Sequence, residues 1–207
     1  MQKRDAIWQA AAHAYKIEAE SIAASFERLD PAAFENAVCA LARAPRIAAS
    51  GCGHSGIACR HFAHLMCCVE RPARFLSPAE AVHGATGFVQ PGDVVLLASR
   101  GGETSELLPI QRICTERGAT VITVTENPNS ELARKADIVL LIRVLEETDR
   151  FNSQGTTSFA VMNALFDALQ AAVIEETGFQ LNHFAHIHPG GAVGRRLNAK
   201  AEGEHKE

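Results

Sequence analysis

The stretch that most constrains this chain is Ile47-Ala48-Ala49-Ser50-Gly51-Cys52-Gly53-His54-Ser55-Gly56, an apolar run that breaks into glycines before helical periodicity opens at Ile57. It reads as a buried strand, a tight glycine turn and a helix N-terminus with free N–H groups, an arrangement suited to an anion. Alone, Gly-x-Gly-x-x-Gly fits a dinucleotide fingerprint, another phosphate loop or close strand-to-helix packing equally. The runs downstream narrow the fold. Arg74-Phe75-Leu76, Val94 to Ala98, Ala119 to Thr125 and Ala136 to Ile142 read as further strands, separated by helical stretches. Right-handed crossovers then require an α/β fold with a parallel, doubly wound sheet and a ligand crevice at the strands' carboxyl ends.

Ahead of the first strand, residues 2–27 place Ile7, Ala11, Ala14, Ile17, Ile22 and Phe26 at helical spacing, and Asp30-Pro31 caps a second helix that Pro45 ends. Such a pair covers its own sheet or packs on a neighbouring subunit. A second glycine and hydroxyl loop, Ser99-Arg100-Gly101-Gly102-Glu103-Thr104-Ser105-Glu106, follows the third strand and opens a helix at Leu107. Its hydroxyls and N–H groups can converge on a phosphate. Gly155-Thr156-Thr157-Ser158 caps the long apolar helix that ends at Gly178, and its hydroxyls are placed to cap alone or also to touch a ligand.

At 207 residues and 47% hydrophobic, the chain suffices for one α/β core. A net charge of −4 with scattered arginines provides no basic footprint for nucleic acid. With neither an apolar secretory core after Met1-Gln2-Lys3-Arg4 nor a run of 18 apolar residues, the expectations are the cytoplasm and no membrane. Six cysteines without CxxC spacing read as reduced, buried thiols. The expected organisation is one domain over residues 1–198, made of a helical pair to residue 44 and an α/β core from 45, then a charged, disordered tail over 199–207.

The order GxGHSG, PAEAxHG, SRGGETSE, TxNPxS, ADIVL and HPGGAxGRRL resembles the sugar-isomerase (SIS) domain, and within it the arabinose-5-phosphate isomerase family. His188-Pro189-Gly190-Gly191 with Gly194-Arg195-Arg196-Leu197 carries the likeness furthest. Many members add paired CBS modules after this motif, so the chain resembles the shorter form. The resemblance implies a three-layer sandwich around a five-stranded parallel, flavodoxin-like sheet with helices on both faces. It implies an aldose–ketose isomerase of the arabinose 5-phosphate/ribulose 5-phosphate type, working through an enediol as a homodimer or homotetramer. A non-catalytic sugar-phosphate-binding regulator and an isomerase of another phosphosugar are the alternatives.

Carried over position by position, the resemblance makes Glu106, Glu147, His83 and His188 the catalytic set, with His188 usually supplied by another subunit. His54 joins them where the family carries Lys, and Ser77-Pro78-Ala79-Glu80 stands for the usual HPGE. The phosphate and sugar contacts are Gly53, Ser55, Ser99, Arg100, Gly102, Thr104, Ser105, Thr156 and Thr157. Gly101 lacks an expected hydroxyl, and Arg100, in the place of an Asn, is expected to compensate by charge. No cofactor is expected. The exchange of Lys for His54 opens one alternative, Zn²⁺ on His54 with His83 or His188.

Overall fold

A computed structural model describes residues 2–204. Two helices come first, α1 (Gln2–Arg28) and α2 (Pro31–Arg43), the latter capped by Asp30, whose Oδ1 accepts the Ala33 N–H at 2.7 Å. Then come β1 (Ile47–Gly51), α3 (Gly53–Cys68), β2 (Ala73–Phe75), α4 (Pro78–Ala81), a 3-10 turn (Ala85–Phe88) and β3 (Val94–Ala98). The chain continues with α5 (Leu108–Glu116), β4 (Thr120–Thr125), α6 (Glu131–Arg134), β5 (Ile138–Leu141), α7 (Thr156–Thr177), α8 (Leu181–Ile187) and α9 (Gly191–Glu204).

The five strands form one sheet in the order β2-β1-β3-β4-β5, every pairing parallel. Alternation along the strands divides the core. Ile47, Ala49, Leu96, Ala98, Ile122 and Val124 pack with Leu41, Phe62, Met66, Phe166 and Leu169 of α2, α3 and α7. Ala48, Val95, Leu97 and Val121 pack with Leu107, Ile110 and Leu132 on the opposite face. This is the three-layer sandwich that the apolar runs imply, because a parallel sheet must bury both faces. Its order reverses between β1 and β3, the switch point where a crevice opens at the carboxyl ends.

Some boundaries differ from expectation. Helix α3 begins at Gly53 rather than Ile57, so Gly53, His54 and Ser55 form its first turn, closed by the Gly56 N–H on Cys52 O at 3.2 Å. Gly51 and Gly56 lie backbone to backbone: a Cβ on Gly56 would sit 2.5 Å from Gly51 O. Those two glycines therefore serve close strand-to-helix packing. Helix α9 runs through Glu204, so the expected disordered tail is helical that far, and residues 205–207 lie outside the described residues. Of the six thiols, Cys59 and Cys114 are buried, Cys67 is exposed, and Cys39, Cys52 and Cys68 are half-buried. By length and composition α7 is apolar enough to cross a membrane. Its Val161, Leu165, Phe166, Leu169 and Val173 are instead buried in the core.

Candidate active site

Four segments meet at the switch point. The first is the turn after β1, whose Gly51, Cys52, Gly53, Gly56 and Ile57 line a crevice of about 510 Å³. Phe75, Ser77, Pro78, Ala79 and Val82 form its opposite wall, and Arg60 and Glu106 bring charge into it. The Arg60 guanidinium lies 4.0 Å above the centre of the Phe75 ring, a cation–π seat that aims a long side chain. Arg60 is absent from the sequence-derived set. It was findable, because it lies one helical turn beyond Gly56 on the face that lines the crevice.

Glu106 is exposed at the crevice edge. Its own backbone N–H and the Ser105 hydroxyl, 2.9 Å from Oε2, donate to the carboxylate and hold it below the usual glutamate range. Nearby, burial first and the Glu106 charge second push the Cys52 thiol up, so Cys52 is a neutral wall residue at neutral pH.

The second segment, after β3, brings its hydroxyls together as the sequence suggests. Ser99 Oγ and Thr104 Oγ1 lie 2.8 Å apart, and Ser99 Oγ also accepts the Gly102 N–H at 3.0 Å. Gly102 has φ +71°, and a Cβ there would lie 2.0 Å from Ser130 Oγ, so the loop closes against α6 only with glycine. Gly101, by contrast, faces open space. Ser55, half-buried in the first turn of α3, and Ser105, exposed, lie in the first and second segments.

The third and fourth segments, after β5 and at the start of α7, present Glu147, whose side chain is 2% exposed. Arg100 Nη1 donates to Glu147 Oε1 at 2.7 Å, while Oε2 accepts the Thr156 hydroxyl and the Ser158 N–H, each at 3.3 Å. Arg100 Nε donates to Glu126 Oε2 at 2.9 Å. The Arg100 guanidinium, expected at a phosphate, is thus turned onto two carboxylates. Thr156 does not cap α7, where no side-chain cap bond forms; its hydroxyl joins Glu147 and, at 2.8 Å, Thr148. Thr157 Oγ1 is buried without a hydrogen-bond partner. Glu126 and Asn152, whose Oδ1 accepts the Glu147 N–H at 2.6 Å, are also absent from the sequence-derived set. Glu126 directly follows a parallel strand, and that position was the available signal.

The histidines do not converge. His54 projects from the first turn of α3 to the start of α7: a Cβ on Gly155 would sit 3.0 Å from its Nδ1, and Phe159 meets it edge-on at 6.2 Å. That places it by the helix terminus that holds Glu147. His83 is exposed beside Val82 of the crevice wall. His188 lies at the other end of the molecule. It follows α8, which begins beyond the C-terminus of α7, and 22 residues at 1.5 Å each put about 33 Å between the ends of that helix. The neighbouring His183 bonds Glu70, past the distal end of α3, and His188 stacks on Phe184 at 4.9 Å. Among the described residues, no three His, Cys, Asp or Glu side chains gather as a metal site.

The domain is a doubly wound α/β sheet with a hydroxyl loop and the carboxylates Glu106, Glu126 and Glu147 on segments that follow the carboxyl ends of its strands. Residues 40–172 match the SIS domain, and the chain belongs to that family. It is 40% identical over 148 residues to an arabinose 5-phosphate isomerase, KpsF, of Escherichia coli, an alignment covering 72% of this chain and 47% of that protein. The chain thus spans about half the length of the curated relatives it matches. Among solved structures, a candidate sugar-phosphate isomerase from Listeria monocytogenes superposes with a TM-score of 0.87 at 37% identity, covering 90% of this chain and 98% of that one. An Escherichia coli CFT073 protein in complex with arabinose 5-phosphate superposes with a TM-score of 0.84 at 29% identity, covering 91% and 100%.

Proposed function

We propose that the protein is a phosphosugar aldose–ketose isomerase of the arabinose 5-phosphate/ribulose 5-phosphate type. The observation that carries the reading is that the Ser99–Thr104 hydroxyl pair and two carboxylates in different surroundings, Glu106 and Glu147, all lie on segments that follow the carboxyl ends of strands of one sheet. The likeness to a chain solved with arabinose 5-phosphate supports the choice of sugar. The isomerisation is redox-neutral. A base takes the proton from C2 of the open-chain aldose as O1 gains one, forming the enediol; O2 then releases its proton and C1 receives one, leaving the ketose. Glu106 or Glu147 serves as the carbon base, and His54 or His83 assists ring opening or polarises the carbonyl. Ser99, Gly102, Thr104 and Ser105 hold the phosphate, while Gly53 and Ser55 face the sugar; Thr156 is engaged with Glu147 and Thr157 is fully buried, so both stand behind that surface.

His188 completes the site from a second copy, since its own crevice lies at the far end of α7. A homodimer or homotetramer with shared sites follows. The six free thiols fit a reducing cytoplasm. The substrate is the only small molecule in this proposal; the alternative, Zn²⁺ on His54 with His83 or His188, has no three-ligand group behind it among the described residues.

The test is incubation with arabinose 5-phosphate while ribulose 5-phosphate is followed, beside a panel of other aldose and ketose phosphates. Turnover of arabinose 5-phosphate supports the proposal. Thermal stabilisation by the sugar phosphates without turnover of any of them makes the protein a binding module instead. Two variants report on the crevice. Arg60→Ala is expected to raise KM about 10-fold with little change in kcat, because it removes a charge-assisted contact to an anionic substrate. Its stability cost should stay near 1 kcal/mol, roughly the scale of an exposed cation–π contact. Gly101→Ser, set in open space, is expected to fold normally and to lower KM by adding a hydroxyl to the phosphate loop. Steady-state kinetics and thermal melts check both.

A further inference from the structure

We infer that Arg100, with Glu126 behind it, is a positioning residue that fixes the orientation of the Glu147 carboxylate, and is not a phosphate ligand. The segment that presents Glu147 lies beyond β5, outside the sheet ladder, where backbone N–H groups must find other acceptors. Side chains supply them. Arg143 N–H donates to Ser25 Oγ at 3.3 Å, Val144 N–H to Glu126 Oε1 at 2.9 Å and Leu145 N–H to Ser21 Oγ at 3.2 Å. Glu147 N–H donates to Asn152 Oδ1, and Thr148 N–H to Thr156 Oγ1 at 3.1 Å. Glu126 is the joint of this arrangement, because one of its oxygens holds Val144 and the other holds Arg100 Nε.

Arg100 is itself pinned. Its carbonyl accepts the Thr125 hydroxyl and the Glu126 N–H, both at 2.9 Å, so the fork extends from a fixed base. A planar guanidinium with one nitrogen on Glu126 and another on Glu147 sets both the distance and the plane of the second carboxylate. The Ser158 N–H and Thr156 hydroxyl then leave that carboxylate one way to face. The geometry also unites two features of the sequence. Arg100 stands where the resemblance expects Asn, and Glu126 fills the first of the two unspecified places in TxNPxS; together they form an ion pair spanning the ends of β3 and β4.

The kinetic half of this inference rests on the isomerase reading. Arg100→Asn is expected to lower kcat about 10- to 100-fold while KM for arabinose 5-phosphate stays within about threefold, the signature of a misoriented reacting group. Arg100→Lys, which keeps charge without the fork, should recover only part of the rate. Arg100→Asn with Glu126→Gln, which relieves the uncompensated carboxylate, should recover thermal stability without recovering kcat. A rise in KM of about 10-fold at unchanged kcat would make Arg100 a phosphate ligand and overturn the inference. If the wild type turns over no sugar phosphate, the isomerase reading fails, and amide exchange on the ligand-free protein still decides this one. Residues 143–148 should exchange several-fold faster in Arg100→Asn than in wild type, and unchanged exchange there would refute the positioning role.

Discussion

Glu147→Gln is expected to lower kcat for arabinose 5-phosphate by about 10²- to 10⁴-fold, the range over which a positioned general acid or base contributes. The amide keeps the shape, and its oxygen can accept from Thr156 and Ser158 only with its NH2 turned to Arg100 Nη1, so the variant removes the proton-carrying carboxylate and the Arg100 pair together, and a thermal melt is needed to tell loss of the base from loosening of the loop. Glu147→Ala should add a folding penalty of about 2–3 kcal/mol, because it strands charge-assisted partners at a nearly dry site. Arg100 is partly exposed and rehydrates in part, which keeps that penalty at the lower end for a broken buried pair. A stopped-time assay of ribulose 5-phosphate with a melt of each variant separates the two effects. Full activity in Glu147→Gln would move the base to Glu106, whose carboxylate already sits low and ionised at neutral pH.

Gly102→Ala should be the most damaging single-methyl change in the loop. A Cβ there would lie 2.0 Å from Ser130 Oγ, 2.4 Å from Ser130 Cβ and 2.9 Å from Thr125 Oγ1, at φ +71°. Strain and overpacking together should cost about 3 kcal/mol, or roughly 10 °C in Tm for a domain of this size. Function should suffer beyond stability. Moving Ser130 breaks its cap on Ala133 N–H, and moving Gly102 pulls its N–H from Ser99 Oγ, which unpairs the hydroxyls that meet the phosphate. Differential scanning calorimetry and the KM of whatever fraction folds measure the two losses. A melt within a degree or two of wild type would contradict the close packing of this loop on α6.

Much of this can be read before any coordinates, for identifiable reasons. Strands buried on both faces have few ways to appear in sequence other than as near-continuous apolar runs, so Val94 to Ala98 and Val121 to Val124 are plain. Asp30 shows as a cap because its chemistry is local. The hydroxyl cluster at Thr156 does not, since its role is set by Glu147, nine residues away in sequence, rather than by the turn it occupies. The start of α3 reads four residues late, at Ile57, because glycines read as a loop, although here they serve close backbone approach.

The sequence by itself determined the class of fold, the two glycine loops and the candidate side chains, because periodicity, turn chemistry and motif order are properties of neighbouring residues. Only the tertiary structure decided which candidates meet. It turned Arg100 from a phosphate toward Glu126 and Glu147, admitted Arg60 to the crevice on the ring of Phe75, and carried His188 to the far end of α7. Those outcomes depend on pairings across 15 to 47 residues and on the length of one helix, and short-range patterns hold no record of either.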